Sequence, residues 1–220
     1  MTRYLEHWRR LLPTRVAVSE ATPGELEVHP DEESVAERFS EARRSHFAAG
    51  RRCARAAMAV LGGDPEPVLA SERRPLWPDG WVGSISHTHD YAVAAVARSQ
   101  HAQALGIDVE RRRPISEAVA ERITTPAELA ALPSAGADGW ITVLFSAKEA
   151  FYKLQHPLTG TFLGFRDVRV EVEPGGHLQL ILLEDVGALS SQRVFAGRFH
   201  RADAHVLTTF SLVGLRDQKL

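Results

Sequence analysis

The 220-residue chain has a single cysteine, Cys53. That excludes an internal disulfide and a cysteine-built zinc site, and it points to a reducing compartment such as the cytoplasm. An excess of charge of either sign is also missing: 26 Lys and Arg stand against 28 Asp and Glu, a formal net charge of −2. This balance removes the electrostatic reason for bulk nucleic-acid or membrane-surface binding, so an anionic ligand must be held by a local basic cluster. No apolar window approaches the length of a bilayer span. The opening stretch MTRYLEHWRRLLP scatters charge where a secretory signal needs an uninterrupted apolar core. There is no internal repeat and no low-complexity tract. What remains is ordinary globular composition, 44% apolar and 25% charged, enough to bury a core in one large domain or two small ones. A soluble intracellular protein is the expectation.

The most informative stretch is Leu105-Gly106-Ile107-Asp108-Val109-Glu110. Ile107 and Val109 alternate with Asp108 and Glu110, the period of a half-buried strand, so both carboxylates share one face. Alone this reads as a solvent-facing edge strand; with a cation between the carboxylates it reads as a Mg²⁺ site, completed by substrate phosphates and water.

Around it the chain reads in order. Residues 1–31 form a short amphipathic piece ending at Pro13 and a strand near Val16–Val18. A helix starts at Asp31, its N-cap, and runs to Gly62-Gly63 with a break near Gly50. On it Arg43, Arg51 and Arg55 share a side, either a solvated basic face or an anion clamp. After a turn-rich connector from Pro65 to Pro78 come two strands, Trp81–His87 and Tyr91–Ala97, joined as a hairpin, then the strand of Asp108 and Glu110. Residues 116–132 read as helical. A strong helix from about Ala137 or Gly139 to Leu154 is closed by His156-Pro157 and presents Lys148, Glu149 and Lys153 away from its apolar stripe. Glu149 and Lys153 by themselves read as a surface ion pair. Val168–Val172, Leu178–Leu183, Val194–His200 and His205–Val213 read as antiparallel strands.

Three motifs in this order and spacing carry a resemblance: Trp77-Pro78-Asp79-Gly80 with Gly83-Ser84-Ile85-Ser86-His87; Gly106-Ile107-Asp108-Val109-Glu110; and Phe145-Ser146-Ala147-Lys148-Glu149-Ala150-Phe151-Tyr152-Lys153. Over roughly residues 38–172 the chain resembles the 4′-phosphopantetheinyl transferases, in particular the single-chain, enterobactin-synthase-associated type. The resemblance implies an α+β fold, a pseudo-dimer of two similar halves, here 1–104 on the coenzyme A phosphate side and 105–220 with the Mg²⁺ carboxylates. It implies transfer of the phosphopantetheine arm of coenzyme A to a serine of an apo acyl or peptidyl carrier protein, with release of adenosine 3′,5′-bisphosphate, by a cytoplasmic monomer. The carriers of the subgroup serve siderophore, polyketide and nonribosomal peptide synthesis.

By motif position, the resemblance implies that Asp108, Glu110 and Glu149 hold Mg²⁺, and that Lys148 and Lys153 contact pyrophosphate oxygens. It likewise implies that Ser86 and His87 bind the nucleotide phosphates, that Arg43, Arg51 and Arg73 complete the clamp, and that Glu149 or a metal-bound water is the base. An acidic carrier helix would dock on Arg111–Arg113 or on apolar residues of the 116–139 region. Two other readings use the same residues: a Mg²⁺-dependent hydrolase of nucleotide pyrophosphates, and a non-catalytic module that binds coenzyme A or carrier protein. Consumption of coenzyme A without a carrier separates the first of these from a transferase.

Overall fold

The structure is a computed structural model and describes residues 3–24, 27–71, 74–132 and 139–213. The chain forms two compact units: one runs to Leu105 and takes in Leu212 and Val213, the other is Gly106–Ser211. Each joins a 20-residue helix to an antiparallel sheet, an α+β architecture.

In the first unit, α1 (Leu5–Leu11) precedes β1 (Ala17–Ala21). The helix is amphipathic, and Trp8 is fully buried with its Nε1 donating to the Tyr91 hydroxyl at 2.9 Å. Tyr91 donates in turn to Glu20, which also accepts from the Tyr4 amide. The expected single helix from Asp31 is instead a 3₁₀ turn at Pro30–Glu32 capped by the His29 side chain, a short α2 (Glu33–Ala36), and α3 (Glu41–Val60) beginning after Ser40. The break falls before α3, because Glu32 folds back under it. Fully buried Glu32 accepts Arg55 Nη1 at 2.7 Å on both oxygens and the Val68 amide at 2.9 Å. Gly50 does not interrupt α3; a Cβ there would stand 2.7 Å from Ile85 Cγ2, so the glycine marks close packing.

The connector holds a small antiparallel pair, β2 (Leu69–Ser71) and β3 (Arg74–Leu76). The hairpin β4 (Trp81–Thr88) and β5 (Tyr91–Arg98) turns at His89-Asp90, with Ser84 opposite Ala95. β5 is the central strand of the order β1-β5-β4 and is buried through Ala97. Its Ala92, Ala94 and Val96 meet Ala49, Cys53, Ala57 and Met58 of α3. Small residues on both sides let helix and sheet close up.

β6 (Ala102–Arg111) runs into the second unit. There α4 (Glu117–Ile123) and α5 (Pro126–Ala131) replace the single helix expected over 116–132, because Thr125 opens α5 with a capping box to Glu128. α6 (Trp140–Thr159) continues past Pro157 to the left-handed cap Gly160. Pro157 has no amide to give the Lys153 carbonyl, so α6 goes without one ladder bond in its final turn. β7 (Val168–Glu173), β8 (His177–Leu182), β9 (Val194–Arg201) and β10 (His205–Val213) pair antiparallel in succession as expected, and β6 lies beside β10. Phe151 of α6 packs edge-on to Phe195 and Phe210 of this sheet, at 4.7 and 5.8 Å between ring centroids. Among the described residues no helix is long and apolar enough to cross a membrane.

Candidate active site

The second unit brings β6 and α6 into direct backbone contact at Gly106, where a Cβ would stand 1.9 Å from the Ala150 carbonyl oxygen. This approach puts Asp108, two residues along the strand, against the helix face of Ser146, Glu149 and Lys153. Asp108 is 3% exposed. Lys153 Nζ donates to its Oδ1 at 2.7 Å and Ser146 Oγ to its Oδ2 at 2.8 Å. Ser146 is itself held by Thr208 of β10, whose hydroxyl lies 2.8 Å from its Oγ and donates to its carbonyl at 2.9 Å. Lys153, which the helix pattern alone reads as a surface partner of Glu149 and the resemblance as a pyrophosphate contact, extends its ammonium to the strand. Ser146 and Thr208 carried no signal beyond the motif itself.

Glu110 and Glu149 feel Asp108. Burial, then the negative charge of Asp108, pushes the Glu110 carboxyl up to about 7, against the opposing pull of Lys153 and Arg113. Burial and Asp108 likewise raise the Glu149 carboxyl above its usual range, with Lys153 opposing. Three carboxyl groups thus repel one another around one ammonium, an arrangement short of positive charge. Among the described residues no three carboxylate or imidazole groups are gathered tightly enough to enclose an ion by themselves. A hard cation beside these carboxylates would have to draw the rest of its shell from water and phosphate oxygens, as Mg²⁺ does.

Lys148 stands elsewhere. Its ammonium donates to Glu128 Oε2 and to the carbonyls of Ile123 and Phe165, each at 2.8 Å, and its side chain is 2% exposed. Burial lowers its proton affinity while Glu128 raises it. The expected pyrophosphate contact is therefore not available to it in this arrangement, because all three of its protons are engaged.

In the first unit, a cavity of about 160 Å³ is lined by Arg43, His46, Arg51, Ile85 and His87, among others. Adjacent strand residues point to opposite faces, so buried Ser86 does not share this cavity with exposed His87. Arg51 is 7% exposed and spends its donors on the backbone, Nε to Val68 O at 2.6 Å and Nη2 to Leu69 O at 3.2 Å. Its guanidinium lies over the Phe47 ring, and burial lowers its pKa to about 10. Arg55 is taken by Glu32, and Arg43 lies over Phe39. The shared arginine side resolves into Arg55, tied to Glu32, Arg51, tied to the backbone in the cavity wall, and Arg43 at the cavity. His46, unmarked by sequence reading, stacks on His87 with ring centroids 4.8 Å apart. Its position three residues after Arg43 and four before Gly50 was the available signal. Arg73 and residues 133–138 of the expected docking region lie outside the described residues. Arg112 is tied to the β9–β10 turn, its amide donating to Ala204 O and its Nη1 to Ala202 O.

Comparison with known proteins agrees in both units. Residues 31–97 match the family model of the 4′-phosphopantetheinyl transferase N-terminal domain, and residues 104–209 that of the 4′-phosphopantetheinyl transferase superfamily. The chain is 37% identical to 4′-phosphopantetheinyl transferase Svp of Streptomyces mobaraensis, over 83% of this chain and 78% of that one. It is 34% identical to 4′-phosphopantetheinyl transferase Npt of Nocardia iowensis, over 91% of this chain and 97% of that one. Enterobactin synthase component D of Salmonella typhimurium is 32% identical over 78% of this chain and 73% of its own length. With its acidic strand and its Lys-Glu helix joined in one matched unit, the chain belongs to the 4′-phosphopantetheinyl transferases.

Proposed function

We propose that this enzyme moves the 4′-phosphopantetheine arm of coenzyme A to a serine of an apo acyl or peptidyl carrier protein, with Mg²⁺, releasing adenosine 3′,5′-bisphosphate. The observation that carries the proposal is the gathering of Asp108, Glu110, Glu149 and Lys153 where β6 meets α6. Asp108, Glu110 and Glu149 are the residues that would hold Mg²⁺, which when bound offsets the charge of the pyrophosphate and of the leaving phosphate. The serine Oγ forms a bond to the phosphorus next to pantetheine, and the pyrophosphate bond to the nucleotide breaks. The serine proton goes to Glu149 or to a water on the metal, the two groups placed to act as the base the attack requires. Lys153 neutralises a phosphate oxygen in place of its present contact with Asp108. Arg43 and His87, at the cavity of the first unit, bind the nucleotide phosphates, while Arg51 shapes the cavity wall. Arg111 and Arg113, both exposed, meet the acidic helix of the carrier. The buried lone thiol of Cys53 fits a reducing cytoplasm.

The test is intact-mass spectrometry of a panel of apo carriers incubated with the protein, coenzyme A and Mg²⁺. One phosphopantetheine should be added to a carrier serine, and the addition should be lost in Glu149→Ala and with a chelator. Coenzyme A cleaved with no carrier modified would identify a pyrophosphate hydrolase instead. Transfer undiminished in Glu149→Ala would remove that residue from the chemistry.

A further inference from the structure

The three protons of the Lys148 ammonium all have partners within the second unit: Ile123 O, Glu128 Oε2 and Phe165 O. Glu128, whose side chain is fully buried, is equally committed. Its Oε2 also accepts the Thr125 amide at 2.6 Å and its Oε1 the Val170 amide at 2.8 Å. The pair therefore joins the end of α4, the start of α5, the segment after α6 and strand β7 to one point on α6. A buried ion pair is seldom more stabilising than apolar side chains of the same volume. What it supplies here is direction, since each bond fails if the helix turns.

The next residue on α6 is Glu149, about 100° further round the helix axis. A carboxylate roughly 6 Å from that axis moves by about 1 Å for each 10° of helix roll. We infer that Lys148 is a positioning residue: pinned by Glu128, it fixes the roll of α6 and so the placement of Glu149 against Asp108, instead of binding phosphate. The ion pair is distinct from the Lys153–Asp108 contact, which lies on the side of α6 that faces β6.

The kinetic part of the test rests on the transferase reading, and the stability part does not. Lys148→Met and Glu128→Gln should each lower kcat by about a hundredfold, the usual loss for a 1 Å misplacement. The KM for coenzyme A should stay within about twofold of the parent. In urea unfolding, the doubly substituted protein should lose less stability than the two single losses added together, because each single change strands a buried partner. If Lys148→Met does not fold, Glu128→Gln carries the kinetic arm. The inference is overturned if Lys148→Met raises the KM for coenzyme A about tenfold with kcat retained. It also falls if Glu128→Gln turns over at the parent rate, or if the two single losses simply add. A parent protein that transfers nothing would refute the proposed function, while the double-mutant cycle would still decide the pairing.

Discussion

Substituting alanine for Gly106 tests whether the carboxylate site depends on the direct contact of strand and helix. The added Cβ would lie 1.9 Å from Ala150 O and 2.9 Å from both the amide nitrogen and the Cβ of Leu154. Two of these atoms are helix backbone and cannot rotate away, so β6 and α6 must part by about 1–1.5 Å to restore ordinary contact distances. Fully buried Leu144, Ala147, Phe151 and Leu154 line the helix, so that parting loosens a packed core. Overpacking costs about 1–3 kcal/mol where side chains can adjust; against backbone the expectation is about 3–5 kcal/mol. The same shift would stretch the 2.7 Å Lys153–Asp108 and 2.8 Å Ser146–Asp108 contacts to or beyond the ~3.5 Å at which a hydrogen bond is lost. Urea unfolding followed by far-ultraviolet circular dichroism reads the first effect, and the rate of carrier modification reads the second, expected to fall about a hundredfold. A Gly106→Ala protein within about 0.5 kcal/mol of the parent and equal to it in rate would refute this account of the contact.

Two further outcomes follow from the site. The Glu110 carboxyl, raised from 4.5 to about 7, holds its proton more tightly folded than unfolded. It therefore contributes stability below about pH 4.5 that is lost as pH rises through about 7. Metal-free protein should melt progressively lower across that window, Glu110→Gln should flatten the slope, and Mg²⁺ should restore the melting temperature at its upper end. A slope unchanged in Glu110→Gln would refute the assignment. Arg51→Met should cost about 1–3 kcal/mol, since it takes the donor from the carbonyl of fully buried Val68. The KM for coenzyme A should move by about twofold at most; the opposite pattern would restore Arg51 to the phosphate clamp.

Local patterns were legible in the sequence where local physics decides them. Alternating or apolar runs between turn residues marked β4, β5 and β7 to β10, and the spacing of Asp108 and Glu110 placed both on one strand face. Partners distant in the chain were not legible. Nothing near Lys148 announces Glu128, and nothing near Arg51 announces the carbonyls of Val68 and Leu69. Both cations look like ligand-binding groups until the fold supplies their acceptors. The helix break was misplaced for the same reason. Gly50 looked like the weak point, yet its lack of a side chain serves the approach of Ile85, and the chain bends where Glu32 must turn back to Arg55.

The first helix bears on where this protein can be trimmed. The match to the family's N-terminal domain begins at residue 31, which invites cutting there. Yet Trp8, Tyr91 and Glu20 form one hydrogen-bonded chain, with Tyr91 on the central strand and Glu20 on an outer strand that pairs with it from Ala17 to Ala21. A cut at residue 31 would remove that outer strand, strip an indole from the core and open a row of β5 amides and carbonyls to solvent. Unpaired strand edges recruit other chains. The shortened protein should therefore be lost to aggregation before its chemistry could be measured, so that evolutionary and folding boundaries part company at this end of the chain.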